Sequence, residues 1–475
     1  MIKNGLFRAK IALYCHTLVL LTFILTTACT PPGRNGSDGT DPGQVGTRKF
    51  TVSQLQNDFS SLRAAVENNH PMLYFYYSKS NFDNFFNNAF ASIQQEMTEL
   101  EFFRLLAPVM ARVNCGHTNI RPSTDFEYYL NNSLNVIPLG VVFIGDKAYI
   151  YQDYSQNDEI EPGTEILSIN NMAVSNIKEK LLGGLFSDGL NVTKKIHTIN
   201  KYFFRYYSLL IDNPGSFELE CMLPGSDKKS NINLNGRLYR DVLSSFRNQN
   251  PGEDVYALRY DIQGDISTAI ITVKSFLMTR NSHFQSFFND FFQKIADKNI
   301  NNLIIDVRGN GGGDPQMSMD LIKYLVDSDF VYFAEGLGYN QLKKPIAPYN
   351  LNFKGNLFIL INGGCFSSTG HFCSLVQYLT NAVFIGEETG GSFSCNDNHM
   401  ERTLSNTKIR AVIARTTYST AVTGYKKGRG IMPDHEVIPT IEDRINAFDR
   451  EMDYVLDLIR QLKAGSRSKS GNCDH

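Results

Sequence analysis

Short, largely apolar runs in the last part of the chain constrain its fold most: Leu303–Val307, Leu357–Ile361 and Val383–Ile385. Each is too short for a helix, and each is closed within a few residues by glycine. Such runs suit strands buried on both faces. Between them lie helical patterns, Leu321, Ile322 and Leu325 in one and Ser368 to Leu379 in another. Strand and helix therefore alternate, which argues for an α/β core. Asp265 to Val273 is the strand candidate that opens it. Phe284, Phe287, Phe288, Phe291, Phe292 and Ile295 then fall on one helical face, and an aromatic stripe at that spacing reads as core, not as a binding surface.

Ahead of this core the period differs. Leu55, Phe59, Leu62 and Val66 predict an amphipathic helix within Phe50 to Asn69. Leu100, Phe103, Leu106, Val109 and Met110 predict a second, bent at Pro108 and ending in the turn-like stretch Val113 to Thr118. From about Ser133 strands take over, with Leu139–Phe143 and Ala148–Tyr151 around a Gly145-Asp146 turn. Pro162 to Asn171 resembles the PDZ pattern of a turn and strand before an Ile-Asn-Gly turn, with Thr164 and Asn171 at positions usually Asp and Gly. Asp188 to Leu210 reads as a helical insertion, and Ser216–Leu223 and Ser230–Leu234 as closing strands.

The first residues are not part of this fold. Lys3, Arg8 and Lys10 precede a largely apolar stretch from Ile11 to Leu25, then Thr26-Thr27-Ala28-Cys29. This resembles a bacterial lipoprotein signal, with cleavage before Cys29 and lipid on its thiol; an uncleaved anchor or an ordinary secretory signal is the alternative. The run is short for a bilayer span, which needs about 20 apolar residues. A Pro-, Gly- and Ser-rich tether follows. The expected organisation is a signal over 1–29, a tether over 30–48, a helical subdomain over 49–132, a PDZ-like domain over 133–236, a core over 250–462 and a disordered tail over 463–475.

With 46 Lys and Arg against 48 Asp and Glu, and no basic stripe, nucleic acid is not an expected partner. The cysteines beyond Cys15 and Cys29 form no C-x-x-C pair, and no Cys/His cluster has zinc spacing. Neither a metal nor another cofactor is expected, and the thiols read as mainly buried and free.

Two motifs can carry chemistry. Asp306-Val307-Arg308-Gly309-Asn310-Gly311-Gly312-Gly313-Asp314 ends a buried strand. Its glycines allow a sharp turn with free N–H groups suited to an anion or a developing oxyanion. No Gly-Lys-Ser/Thr follows, so it is no nucleotide P-loop. Asn362-Gly363-Gly364-Cys365-Phe366-Ser367-Ser368-Thr369-Gly370-His371 places Ser367 at a strand-to-helix turn. There its hydroxyl would sit at the positive end of the helix dipole, although serine is also a common helix N-cap.

In this order the two motifs resemble the serine peptidase family of C-terminal processing proteases, the tricorn core and the retinoid-binding-protein repeats. His70-Pro71, Gly116-His117-Thr118, Gly386-Glu387-Glu388-Thr389-Gly390-Gly391 and Gly430-Ile431-Met432-Pro433-Asp434 match as well, so the resemblance spans about residues 50 to 460. It implies a crotonase-like α/β core and peptide-bond cleavage through an acyl-enzyme. By motif position Ser367 is the nucleophile, and the N–H groups of Ser368 and of Gly311 or Gly312 form the oxyanion hole. One branch uses a lysine where this chain has Ser392; the tricorn-like branch uses a histidine, matched by His117. His371, four residues after Ser367, is the other candidate base. Cys115 and Gly370 stand where acidic residues are frequent, and Gly424 to Gly428 holds no carboxylate, so the third catalytic member is unassigned. The expectation is an exported, lipid-anchored endopeptidase of the cell envelope acting on unfolded or C-terminal segments of polypeptides. A catalytically inactive binding lipoprotein on the same scaffold is the alternative, and acyl-CoA chemistry would leave the serine and histidine unexplained.

Overall fold

A computed structural model describes residues 42–155, 160–226, 228–250, 258–263, 266–278 and 282–470. The signal, Cys29, most of the tether and Cys473 lie outside the described residues. Pro42–Val45 already forms a helical turn, and Gly46 lies close against the Tyr129 ring, so the stretch expected as tether ends before residue 48.

The fold is mixed α/β. Its central sheet runs in the order Leu258–Gln263, Thr268–Val273, Asn302–Asp306, Asn356–Ile361, Val383–Gly386 and His435–Glu436. Only the first pair is antiparallel. Because side chains alternate along a strand, the apolar runs feed two cores. Leu303, Ile305, Ile359 and Ile361 point to one face, where they pack with Phe288, Phe291, Phe292 and Phe372. Ile304, Phe358 and Leu360 point to the other, against Val455 and Ile459. This double coverage is why the middle of each strand is apolar on both faces. The aromatic stripe of the Phe284–Asp297 helix is core, as its spacing predicts. The helix Arg450–Ser470 covers the second face and continues into the segment expected as a tail.

A second, antiparallel sheet takes the order Lys229–Asn235, Ser216–Met222, Glu165–Ile169, Lys147–Asp153 and Leu139–Ile144. Asn170 and Asn171 both hold positive φ, +48° and +63°, which asparagine tolerates better than most residues. The helical insertion begins later than its sequence suggests. Its helix is Thr193–Leu210, and Asp188 to Val192 form a loop that reaches the turn at Gly428, with the Leu190 N–H donating to Gly428 O at 2.9 Å.

The N-terminal helices Val52–Asn69 and Glu99–Ala111 lead to the strand Asn119–Arg121, which pairs with Arg410–Ile413. Among the described residues Cys115, Cys221, Cys365, Cys373 and Cys395 are all buried free thiols.

Candidate active site

The C-terminal ends of three neighbouring parallel strands converge on one point. After Asn302–Asp306 comes the glycine loop, after Asn356–Ile361 the Ser367 turn, and after Val383–Gly386 the Gly390-Gly391 turn. At Gly312 and Gly391 no side chain would fit. A Cβ on Gly312 would fall 2.8 Å from Ser367 Cβ, and one on Gly391 2.9 Å from Ser367 N. Side-chain amides tie the loops together. Asn362 Oδ1 accepts from the Gly309 and Gly364 N–H groups, both at 2.9 Å. Asn310 O accepts from the Phe366 N–H at 3.0 Å.

Ser367 has φ +56° and ψ −126°, a conformation rare outside glycine and enforced by its surroundings. Its hydroxyl caps nothing, although Ser367 stands at the N-cap position of the Ser368–Leu379 helix. Instead Ser367 Oγ lies 3.1 Å from His117 Nε2. Of the expected oxyanion donors, the Gly312 N–H is already given to Asn310 Oδ1 at 2.9 Å. The N–H groups of Gly311 and Ser368 have no protein acceptor among the described residues.

His117 arrives from the N-terminal part of the chain. Thr118 Oγ1 accepts the Ala414 N–H at 3.0 Å, which docks the turn beside the Asn119–Arg121 strand. The imidazole is fully buried and stacks on Phe366, with ring centroids 4.7 Å apart.

Residues 267–437 match peptidase family S41. The crystal structure of mature CPAF superposes with a TM-score of 0.65 at 14% identity, covering 86% of this chain and 98% of that one. Mature CPAF complexed with lactacystin gives the same values. No curated protein sequence matches. The segment that holds the glycine loop and the Ser367 turn is thus similar to peptidase family S41.

Around the Ser367–His117 pair lie groups that sequence reasoning did not bring together. Asp397 Oδ2 is 3.9 Å from His117 Nε2, and its Oδ1 is 3.1 Å from His399 Nδ1. Burial would raise the Asp397 carboxyl, but His117 and His399 hold it below its ordinary value. Asp188, from the loop before the Thr193–Leu210 helix, accepts the Gly116 N–H on Oδ1 at 2.7 Å. Lys194 Nζ stands 4.0 Å over the Phe366 ring, and burial pushes its amine down to about 8. No motif marked either aspartate.

Other residues singled out from sequence lie elsewhere. His371 turns Nε2 toward Cys395 Sγ at 3.5 Å, and burial pushes it down to about 3. Ser392, at the lysine position of the other branch, is buried with its Oγ unpartnered. Lys427 sits over the Phe75 ring at 5.1 Å. At Gly370 any side chain would meet the Gly391 and Ser392 backbone at 2.6 Å, which leaves no room for an acidic residue. Buried polar atoms without a protein partner include His117 Nδ1, Asp188 Oδ2, Ser368 Oγ, Thr369 Oγ1, His371 Nδ1 and Ser392 Oγ. Buried polar groups are normally hydrogen-bonded.

Proposed function

We propose that this chain is an S41 peptidase that cleaves polypeptides through an acyl-enzyme on Ser367, with His117 as general base and then general acid. The observation that carries the reading is the 3.1 Å approach of His117 Nε2 to a strained Ser367 whose hydroxyl caps no helix. In the acylation step Ser367 Oγ bonds to the carbonyl carbon as its proton passes to His117 Nε2. The carbonyl electron pair moves onto oxygen, where the free N–H groups of Gly311 and Ser368 are the donors. Collapse expels the amine, which takes the proton from Nε2. Water repeats the sequence to release the acid. Gly312 then acts through its missing side chain, not as a donor.

The central sheet and its loops are read as the crotonase-like core, and the Leu139–Asn235 sheet as the PDZ-like module. In that module Asn200 already bonds the Leu139–Ile144 edge, accepting from the Phe143 N–H at 2.8 Å and donating to Phe143 O at 3.2 Å. The Lys229–Asn235 edge is the one open to an extended C-terminal segment by strand addition. Export and a lipid on Cys29 rest on the charged, apolar and Ala28-Cys29 succession at the N-terminus.

One labelling experiment tests the reading. A fluorophosphonate probe added to the full chain should modify Ser367 by mass spectrometry, and Ser367→Ala should lose both label and peptide cleavage while staying folded. The same preparation should partition into detergent and lose that property in Cys29→Ser. Label on another serine, or cleavage by Ser367→Ala, contradicts the assignment; an aqueous wild-type protein contradicts the anchor.

A further inference from the structure

A cleft of about 550 Å³ opens beside the catalytic pair, lined among others by Pro71, Met72, Glu335, Leu337, Arg415 and Lys427. Thr416 and Thr417 line it too, and the sheet ties them to the catalytic centre. Thr416 stands opposite Asp397 and Thr417 opposite Asn396, while the Arg415 N–H donates to Asp397 O at 2.9 Å. Asp397 in turn reaches within 3.9 Å of His117 Nε2. A polypeptide held at Ser367 therefore has this cleft within reach of its neighbouring residues. Resting on the reading of this chain as a peptidase, we propose that the cleft is a specificity subsite for a carboxylate of the substrate. That carboxylate is an acidic side chain or the terminal carboxyl group, and Arg415 is its principal partner.

The lining holds two cations against one carboxylate, and neither cation has an acidic partner among the described residues, Glu335 included. Their neighbours along the chain differ: Arg410 faces Glu401 and Arg429 faces Glu388. Arg415 instead gives Nε to Asn398 O at 3.0 Å and Nη2 to Asn398 Oδ1 at 3.4 Å. Two neutral acceptors hold the guanidinium in place without neutralising it, and Nη1 keeps its donors for another group. A planar fork fixed in this way suits a carboxylate better than any other group a polypeptide carries. Lys427 lies over the Phe75 ring at 5.1 Å, on a turn fastened by the Leu190 N–H at Gly428 O. Its ammonium adds charge without a set geometry. Pro71, Met72 and Leu337 supply apolar surface for the methylenes that carry an acidic group, and such surface strengthens a charge pair beside it. A basic side chain would be repelled by both cations.

The test measures peptide binding to the full chain carrying Ser367→Ala, which holds substrate without cutting it. Fluorescent peptides that differ by a single Gln-to-Glu exchange, moved along the sequence and ending in a free or an amidated carboxyl group, separate the two sources. At one Glu position, or with the free terminus, affinity should exceed that of the uncharged partner by roughly fivefold to tenfold at low salt, and the gain should shrink as salt rises. Arg415→Met should remove most of this gain, Lys427→Met alone the smaller part, and the two together all of it. With Ser367 restored, the same preference should appear in kcat/KM, chiefly through KM. Equal affinity for charged and uncharged peptides throughout the series overturns the proposal. So does a gain that survives the double replacement, or the absence of both binding and cleavage. A carboxylate preference in binding without cleavage by the Ser367 protein would fault the peptidase reading and leave the subsite standing. Cleavage with no such preference would fault the subsite alone.

Discussion

Ser367 and His117 meet from 250 residues apart, and the two sides of the pair are held by different means. On the serine side, three adjacent strands of one sheet end together. Glycine contacts and Asn310 and Asn362 then lock their loops over short stretches of chain. The histidine side is a turn that runs into the short Asn119–Arg121 strand. It is held by that strand's pairing with Arg410–Ile413, by stacking on Phe366 and by polar contacts of Thr118 with Ala414, Gly116 with Asp188 and Glu99 with Ser123. The serine side inherits the rigidity of the buried sheet. The histidine side depends on docking, so it is where activity can be lost without loss of the core.

Removing one docking contact should therefore cost activity before it costs the fold. Thr118→Val keeps the shape but leaves the buried Ala414 N–H without its acceptor, a penalty of about 1–3 kcal/mol. We expect kcat to fall roughly tenfold. Amide exchange should quicken around residues 115–121 and stay unchanged in Asn302–Asp306 and Asn356–Ile361. Equal loosening of both regions would mean that the two sides are one cooperative unit.

A smaller effect should follow pH. Glu99 accepts the Ser123 N–H at 2.6 Å and the Ser123 hydroxyl at 2.7 Å, closing the segment that carries His117. Burial, aided by Glu127 and Asp125, raises its carboxyl from 4.5 to about 7 against the pull of Ser123. Between those values the folded protein binds more protons than the unfolded chain. The contribution to stability is complete below 4.5 and is lost as pH rises through about 7. Denaturant midpoints should decline over that window in wild type, and Glu99→Gln should flatten the decline. An identical pH dependence in both proteins would remove Glu99 from the account.

The same contrast decides what was legible in the sequence. On the serine side, strands, helices and glycine turns follow one another within about a hundred residues, and each leaves a local pattern. The Leu303–Val307 and Leu357–Ile361 runs and the Ser368–Leu379 helix needed only that pattern. His117 was found through resemblance alone, since nothing in Gly116-His117-Thr118 tells which strand it will dock on. Asp188 and Asp397 left no signal, because a lone aspartate in a loop looks like any solvated one until the chain folds around it. The committed N–H of Gly312 was equally invisible: the Asn310 side chain that takes it is set by loop geometry.

Whether the two sides act as one machine is tested most directly by a double-mutant cycle on acylation, comparing Ser367→Ala, His117→Ala and the double variant. Each single change should reduce peptide cleavage on the order of 10⁴-fold or more, and the double variant should be no worse than the poorer single one. Lys426→Met and Lys427→Met should retain most activity in the same assay. A His117→Ala enzyme that still acylates, or losses that multiply in the double variant, would contradict the pairing of Ser367 with His117.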